Sequence, residues 1–133
     1  MKKHLFAYGS LMFPAVRHRL ISPRHATQEA TLQDHQRFRI IRETYPGLIP
    51  QQGQQVEGLL ILDLTIKDLI VLDRFEGKFY TRKTVTVIGS DGSAREAETY
   101  LFRKQYQHKL SEQEWDAKQF REKHLQEFLQ TYP

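Results

Sequence analysis

The chain has no cysteine, which excludes disulfides, thiolate metal sites and a cysteine nucleophile, and which suits a reducing compartment. Long apolar runs are also missing, since no window approaches the roughly 20 apolar residues that span a bilayer. The N-terminus, Met1-Lys2-Lys3-His4-Leu5-Phe6, starts basic, but its apolar run stops within a few residues and no small-residue cleavage site follows. The expectation is a cytoplasmic protein with no membrane partner. The 6 histidines, His4, His18, His25, His35, His108 and His124, form no H-x-x-x-H or H-x-H pair, so a metal site is not expected.

The 133 residues fit one domain over 1–133, and an apolar fraction of 39% is enough for a real core. The formal charge is +4 and the isoelectric point about 9.4. Basic residues gather at Arg17, His18, Arg19, Arg24 and His25, and again at Arg37, Arg39 and Arg42. No nucleic-acid reading module or aromatic platform accompanies them, so they read as a solvated surface and nucleic acid is not an expected partner.

Along the chain, His4 to Tyr8 reads as a short buried strand ended by Gly9-Ser10, and a helix follows Pro14 within Leu11–Leu20. Thr27 to Ile41 is strand-like, while Tyr45-Pro46-Gly47 and the run from Pro50 to Gln55 read as loop. Val56 to Leu62 forms a strand covered on both faces, with Val56, Gly58, Leu60 and Leu62 on one and Leu59 and Ile61 on the other. Thr65 is an N-cap for a helix with Ile66, Leu69 and Ile70 at helical spacing, closed by Gly77 in a left-handed conformation. Tyr80–Ile88 and Ala94–Arg103 are strands of a hairpin through Gly89–Ser93. Ser111-Glu112-Gln113-Glu114 reads as a capping box before a final helix with Ala117, Phe120, His124, Leu125, Phe128 and Leu129 on one side. Packing accounts for His124 and for Trp115. The sum is an α+β domain, its sheet mostly antiparallel and closing toward a small barrel, with flanking helices.

Two segments hold chemistry. Tyr8-Gly9-Ser10-Leu11 is a glycine turn directly after a buried strand, and consecutive amides in such a turn make an anion-binding concavity. Taken alone, it is a weak signal that an ordinary strand-ending turn explains better, because glycines after strands are common. It is neither a phosphate loop nor a nucleophile elbow, because the second glycine and the lysine are missing. In the second segment, Leu72 to Arg82, Glu76 falls at a helix C-terminus, where the macrodipole disfavours a carboxylate. It is either an exposed glutamate paired with Lys78 or Arg82, or a partly buried one whose pKa is raised toward neutrality, suiting a general base.

The two segments together resemble the gamma-glutamylcyclotransferase-like superfamily, in particular its avirulence-induced-gene-like and gamma-glutamylamine cyclotransferase branch. Phe6-Ala7-Tyr8-Gly9-Ser10-Leu11 is similar to that family's strand and Tyr-Gly-(Ser/Thr)-Leu turn. Tyr45-Pro46-Gly47-Leu48-Ile49, Val56-Glu57-Gly58, and Ala97 with Tyr100 follow in the same order. Leu72-Asp73-x-Phe75-Glu76-Gly77 with Tyr80-x-Arg82 is the most specific match. The chain departs from many relatives at Met12-Phe13-Pro14-Ala15-Val16, where they carry a glycine and an asparagine.

The resemblance implies cyclisation of a gamma-glutamyl-amine or gamma-glutamyl dipeptide to 5-oxoproline with release of the amine, without metal or cofactor. It casts Glu76 as the catalytic base and the amides of Gly9, Ser10 and Leu11 as the substrate cradle. Tyr8 and Tyr100 then line the pocket, and Arg82 is either a structural partner to the loop or a substrate contact. The alternative is a non-catalytic small-molecule or protein-binding module on the same fold.

Overall fold

The strand Lys3–Ala7 (β1) has alternate side chains on two sides, as the two-residue period requires: Phe6, with Tyr8 just beyond the strand, packs in one apolar cluster, and Leu5 and Ala7 in another. The computed structural model describes residues 2–132 and builds the sheet around this strand. β1 lies between β3 (Pro46–Leu64), to which it is antiparallel, and β5 (Ala94–Phe102), to which it is parallel. β5 pairs antiparallel with β4 (Tyr80–Gly89), and β4 with β2 (Thr27–Ile40). Since β2 also pairs with β3, the order β3-β1-β5-β4-β2 closes on itself as a five-stranded barrel. A short strand, β6 (Leu110–Glu114), adds to the far end of β2.

Phe6, Tyr8, Ala30, Leu32, Leu48, Val56, Leu60, Val87 and Ala97 form one buried cluster within this closed sheet. The second cluster includes Leu5, Ala7, Ile61, Leu64, Leu69, Leu72 and Phe128, and lies between the sheet and the helices. Val56 and Leu60 thus face one way and Ile61 the other, as the alternation requires.

Several readings of the sequence are corrected. Tyr45-Pro46-Gly47 and Pro50–Gln55 are not one long loop, because β3 runs from Pro46 to Leu64. Its prolines occupy the places a strand tolerates. Pro46 is the first residue, and Pro50 sits at the register shift opposite Gln33–His35. There Asp34 and Gly53 both take positive φ, and the Gly53 amide donates to Asp34 Oδ1 at 3.0 Å. The helix expected after Pro14 is present as α1 (Pro14–Arg17) but is a single turn, preceded by a 3₁₀ turn, Ser10–Met12. Ser111–Glu114 is strand rather than capping box. Ser111 Oγ donates to the Arg39 carbonyl at 2.7 Å, and Asp116 Oδ1 becomes the cap, accepting from the Lys118 and Gln119 amides. The last helix is also interrupted, with α3 (Ala117–Gln119), a π-helical turn (Phe120–His124) and α4 (Leu125–Thr131) in succession. Finally, the inward face of α2 (Ile66–Glu76) is not the Ile66–Ile70 side: both isoleucines are exposed, and Leu69 and Leu72 are buried.

The Thr65 cap is as expected. Its Oγ1 accepts from the Asp68 amide at 3.2 Å, and its own amide donates to Asp68 Oδ2 at 3.0 Å. Gly77 closes α2 with φ +84° but ψ −166°, so the backbone leaves the helix extended rather than in the left-handed helical conformation. Among the described residues no helix is long and apolar enough to cross a membrane.

Candidate active site

Glu76 lies seven residues after Leu69 and four after Leu72, which continues the buried stripe of α2 by one more turn. That periodicity aims an acidic side chain inward. The carboxyl group meets a cavity of about 200 Å³, well over ten times the ~10–15 Å³ that one water requires. The four ion pairs among the described residues leave Glu76 out, although Lys78 and Arg82 are near it in sequence. No fully buried side-chain oxygen or nitrogen there lacks a partner, so the Glu76 oxygens open into the cavity instead of being sealed in protein. Burial, and secondarily the negative charge of Asp73, push its pKa up to about 8.

The opposite part of the cavity is the turn after β1. Tyr8, Gly9, Ser10 and Leu11 all line it. The amides of Gly9, Ser10 and Leu11 find no backbone acceptor among the described residues, being the first donors of a 3₁₀ turn whose hydrogen bonds start with the Met12 amide. Gly9 has φ −126°, so a left-handed backbone is not what selects glycine. Space is: a Cβ there would lie 3.1 Å from Cγ and Cδ of Pro46. Pro46 is itself fixed, because the buried Tyr80 phenol donates to its carbonyl at 2.7 Å.

The carbonyls of this turn are held by two guanidinium groups. Arg37 Nη1 donates to the Tyr8 carbonyl at 2.7 Å and to that of Glu57 at 2.9 Å. Its guanidinium carbon is 5.1 Å from the Trp115 ring centroid, within cation–π range. Arg17 Nη1 donates to the carbonyls of Leu11 and Met12, each at 3.0 Å. Burial pulls the pKa of both arginines down. The expectation of a solvated basic surface therefore fails for these two residues. Arg17 is buried, Arg37 is half-buried, and each is spent on backbone oxygens of the turn.

A polar cluster secures the last turn of α2. Asp73 accepts from Arg82 Nε at 2.9 Å and from the Tyr100 phenol at 2.7 Å. Arg82 Nη1 reaches on to Glu98 Oε1 at 2.6 Å. Tyr100 lines the cavity and Arg82 does not, so Arg82 here ties helix to sheet. The Tyr8 phenol donates to the Tyr100 carbonyl at 2.6 Å. Burial, joined by the charge of Glu76 for Tyr8 and the hydrogen bond to Asp73 for Tyr100, pushes both phenols above their ordinary pKa. Both phenols stay protonated at neutral pH.

The family model described as "Gamma-glutamyl cyclotransferase, AIG2-like" matches residues 5–117, a span that includes the turn, Glu76 and the Asp73 cluster. The chain belongs to this family. Among its curated relatives, AIG2-like protein D of Arabidopsis thaliana is 35% identical over 127 residues, 94% of this chain and 83% of that protein. A gamma-glutamylcyclotransferase and putative RNase of Methanocaldococcus jannaschii is 28% identical over 102 residues, 75% of this chain and 46% of that one. An Arabidopsis thaliana protein solved in solution superposes with a TM-score of 0.77 at 26% identity, covering 99% of this chain and 80% of its own. A solved protein titled gamma-glutamyl cyclotransferase superposes with a TM-score of 0.66 at 23% identity, over 77% of this chain and 68% of its own, which supports the fold.

The fold thus brings Tyr8, Gly9, Ser10, Leu11, Glu76 and Tyr100 to one cavity. Sequence reasoning missed other parts of its wall: Tyr45, Pro46, Phe75, Lys78, Phe79, Tyr80, Phe128 and Tyr132. Phe75 carried a signal, standing directly before the candidate base. Phe128 and Tyr132 carried none, since their approach to the cavity depends on where the last helix docks.

Proposed function

We propose that the chain is a gamma-glutamyl cyclotransferase, converting a gamma-glutamyl-amine or gamma-glutamyl dipeptide to 5-oxoproline and a free amine. The observation that carries this reading is the unpaired Glu76 carboxyl opening into the same cavity as three unpaired amides, those of Gly9, Ser10 and Leu11. The substrate supplies its own nucleophile. Its α-amine attacks the side-chain carbonyl carbon, a C–N bond forms within a five-membered ring, and the C–N bond to the leaving amine breaks. Holding the glutamyl group in that folded pose contributes roughly 7–11 kcal/mol of the barrier.

Glu76 takes a proton of the α-ammonium as attack proceeds and returns it to the departing nitrogen. The second proton that the attacking nitrogen sheds on becoming the lactam N–H passes to the released amine, which leaves as its ammonium, so no net proton is consumed. A carboxyl with a pKa of about 8 is matched to both transfers. The amides of Gly9, Ser10 and Leu11 hold the anionic end of the glutamyl group or the developing oxyanion. Tyr8 and Tyr100 form the walls beside it. Every step is performed by this chain's own side chains and amides together with the substrate. The test is 5-oxoproline release from a panel of gamma-glutamyl dipeptides and gamma-glutamyl-amines. Tight binding of these compounds with no 5-oxoproline release would replace this reading with the non-catalytic binding module.

A further inference from the structure

We propose that the site is built for gamma-glutamyl conjugates whose leaving amine carries an aromatic or bulky apolar group, received by a box of four rings: Tyr45, Phe75, Phe128 and Tyr132. This rests on the cyclotransferase reading above. If Glu76 protonates the departing nitrogen, that nitrogen lies within hydrogen-bond reach of its carboxyl. Whatever the nitrogen bears must extend along the cavity wall beside Glu76.

That wall is aromatic. All four rings line the cavity. Phe75 precedes Glu76 on α2, Tyr45 precedes the Pro46 that packs on Gly9, and the end of the last helix supplies Phe128 and Tyr132. The centroids of Tyr45 lie 6.0 Å from Phe128 and 6.4 Å from Tyr132, and those of Phe75 lie 6.4 and 6.3 Å from the same two rings. These four pairs meet at interplanar angles of 71–86°, edge to face. Only Phe128 is fully buried. Tyr45 and Phe75 are half-buried and Tyr132 is 41% exposed, so ring surface remains to be covered by a ligand. The charged residues of the cavity wall are Glu76 and Lys78. Lys78 is exposed, with Nζ 5.5 Å from the Phe79 ring centroid. Among the described residues Glu76 is the one carboxylate that lines the cavity, with Glu43 reaching the Tyr45 phenol from outside that lining. The wall is thus mainly aromatic, and an aromatic group on the amine stacks against the box.

The experiment compares gamma-glutamyl-phenethylamine, gamma-glutamyl-methylamine and epsilon-(gamma-glutamyl)-lysine as substrates of the whole chain, with 5-oxoproline as the readout. The expected kcat/KM for phenethylamine exceeds that for either other conjugate by about tenfold or more, a usual range for apolar-pocket discrimination. Tyr132→Ala, at the exposed end of the last helix, should narrow the ratio of phenethylamine to methylamine several-fold. Turnover of all three at equal efficiency, or preference for the lysine conjugate, overturns the aromatic box and leaves the cyclotransferase standing. If none releases 5-oxoproline, the reaction falls, and the box is judged by calorimetric titration of the same compounds into Glu76→Gln. Tighter binding of the phenethylamine conjugate upholds it, and equal or absent binding overturns it.

Discussion

Arg37 donates to the Tyr8 carbonyl at 2.7 Å, and so fixes the orientation of the peptide plane that carries the Gly9 amide. In a trans peptide the C=O and N–H bonds point in opposite directions. A carbonyl held outward by Arg37 therefore leaves the Gly9 amide directed toward the cavity that Gly9 lines. Arg17 acts similarly at the other end of the turn through the Leu11 and Met12 carbonyls. The turn is held by cations that bind its acceptors and leave its donors free.

From this, Arg37→Met should weaken the cradle without touching substrate. A hydrogen bond from a charged donor contributes about 1.5–3 kcal/mol, so kcat/KM is expected to fall about 10- to 100-fold. Arg37→Lys, which can still donate to one carbonyl, should recover part of that loss. Steady-state kinetics of the three proteins, with melting curves to show that the variants remain folded, decide it. Unchanged kcat/KM in a folded Arg37→Met protein would mean that the turn holds its own geometry.

The strands of the barrel were legible from short-range alternation, and the candidate base from its place at a helix C-terminus before Gly77 and from the likeness of Leu72–Gly77 to the family's motif. Alternation in β1 and in Val56–Leu62 separates the two apolar clusters. What was not legible depends on distant partners. The polar run Pro50–Gln55 reads as loop until β2 supplies its ladder. Ser111 has the spacing of a cap, but the Arg39 carbonyl, 72 residues away in sequence, claims its hydroxyl. Arg17 and Arg37 look like surface charge because nothing local reveals that a turn elsewhere in the chain has carbonyls to satisfy.

Asp73 offers a test of the electrostatics. Its negative charge is the second cause, after burial, of the raised Glu76 pKa. Asp73→Asn removes that charge, so the Glu76 pKa should drop below about 8. The acid limb of kcat/KM should move to lower pH, because Glu76 would then lose its proton earlier. The same change breaks the ion pair with Arg82 and alters the acceptor of the Tyr100 phenol, so the melting temperature should fall. A pH–rate profile beside that of the wild type checks the direction. An acid limb that stays in place or moves upward would contradict the assignment of this limb to Glu76.

The sharpest expectation concerns Glu76 itself. Glu76→Gln preserves side-chain volume but cannot accept a proton. Turnover of the best gamma-glutamyl conjugate should fall by about 10²–10⁴-fold, the usual range for a general base. In the wild type, kcat/KM should rise with pH toward about 8 as the carboxyl ionises. It should decline again once the substrate's own ammonium has lost its proton. The Gln variant should lack the acid limb. Stability should move the opposite way. The folded state holds this proton more tightly than the unfolded chain does, so raising the pH from the ordinary 4.5 to about 8 forces a charge into a partly buried site and destabilises the fold. Below that window both states are protonated and this penalty vanishes. The Gln variant avoids it, so it should melt higher than the wild type at pH 9, with the gap closing toward pH 4. Kinetics and melting curves across this range test both halves together. A folded Gln variant with near-normal turnover would remove Glu76 from the mechanism, and one whose melting temperature tracks the wild type at every pH would show that its carboxyl bears no such penalty.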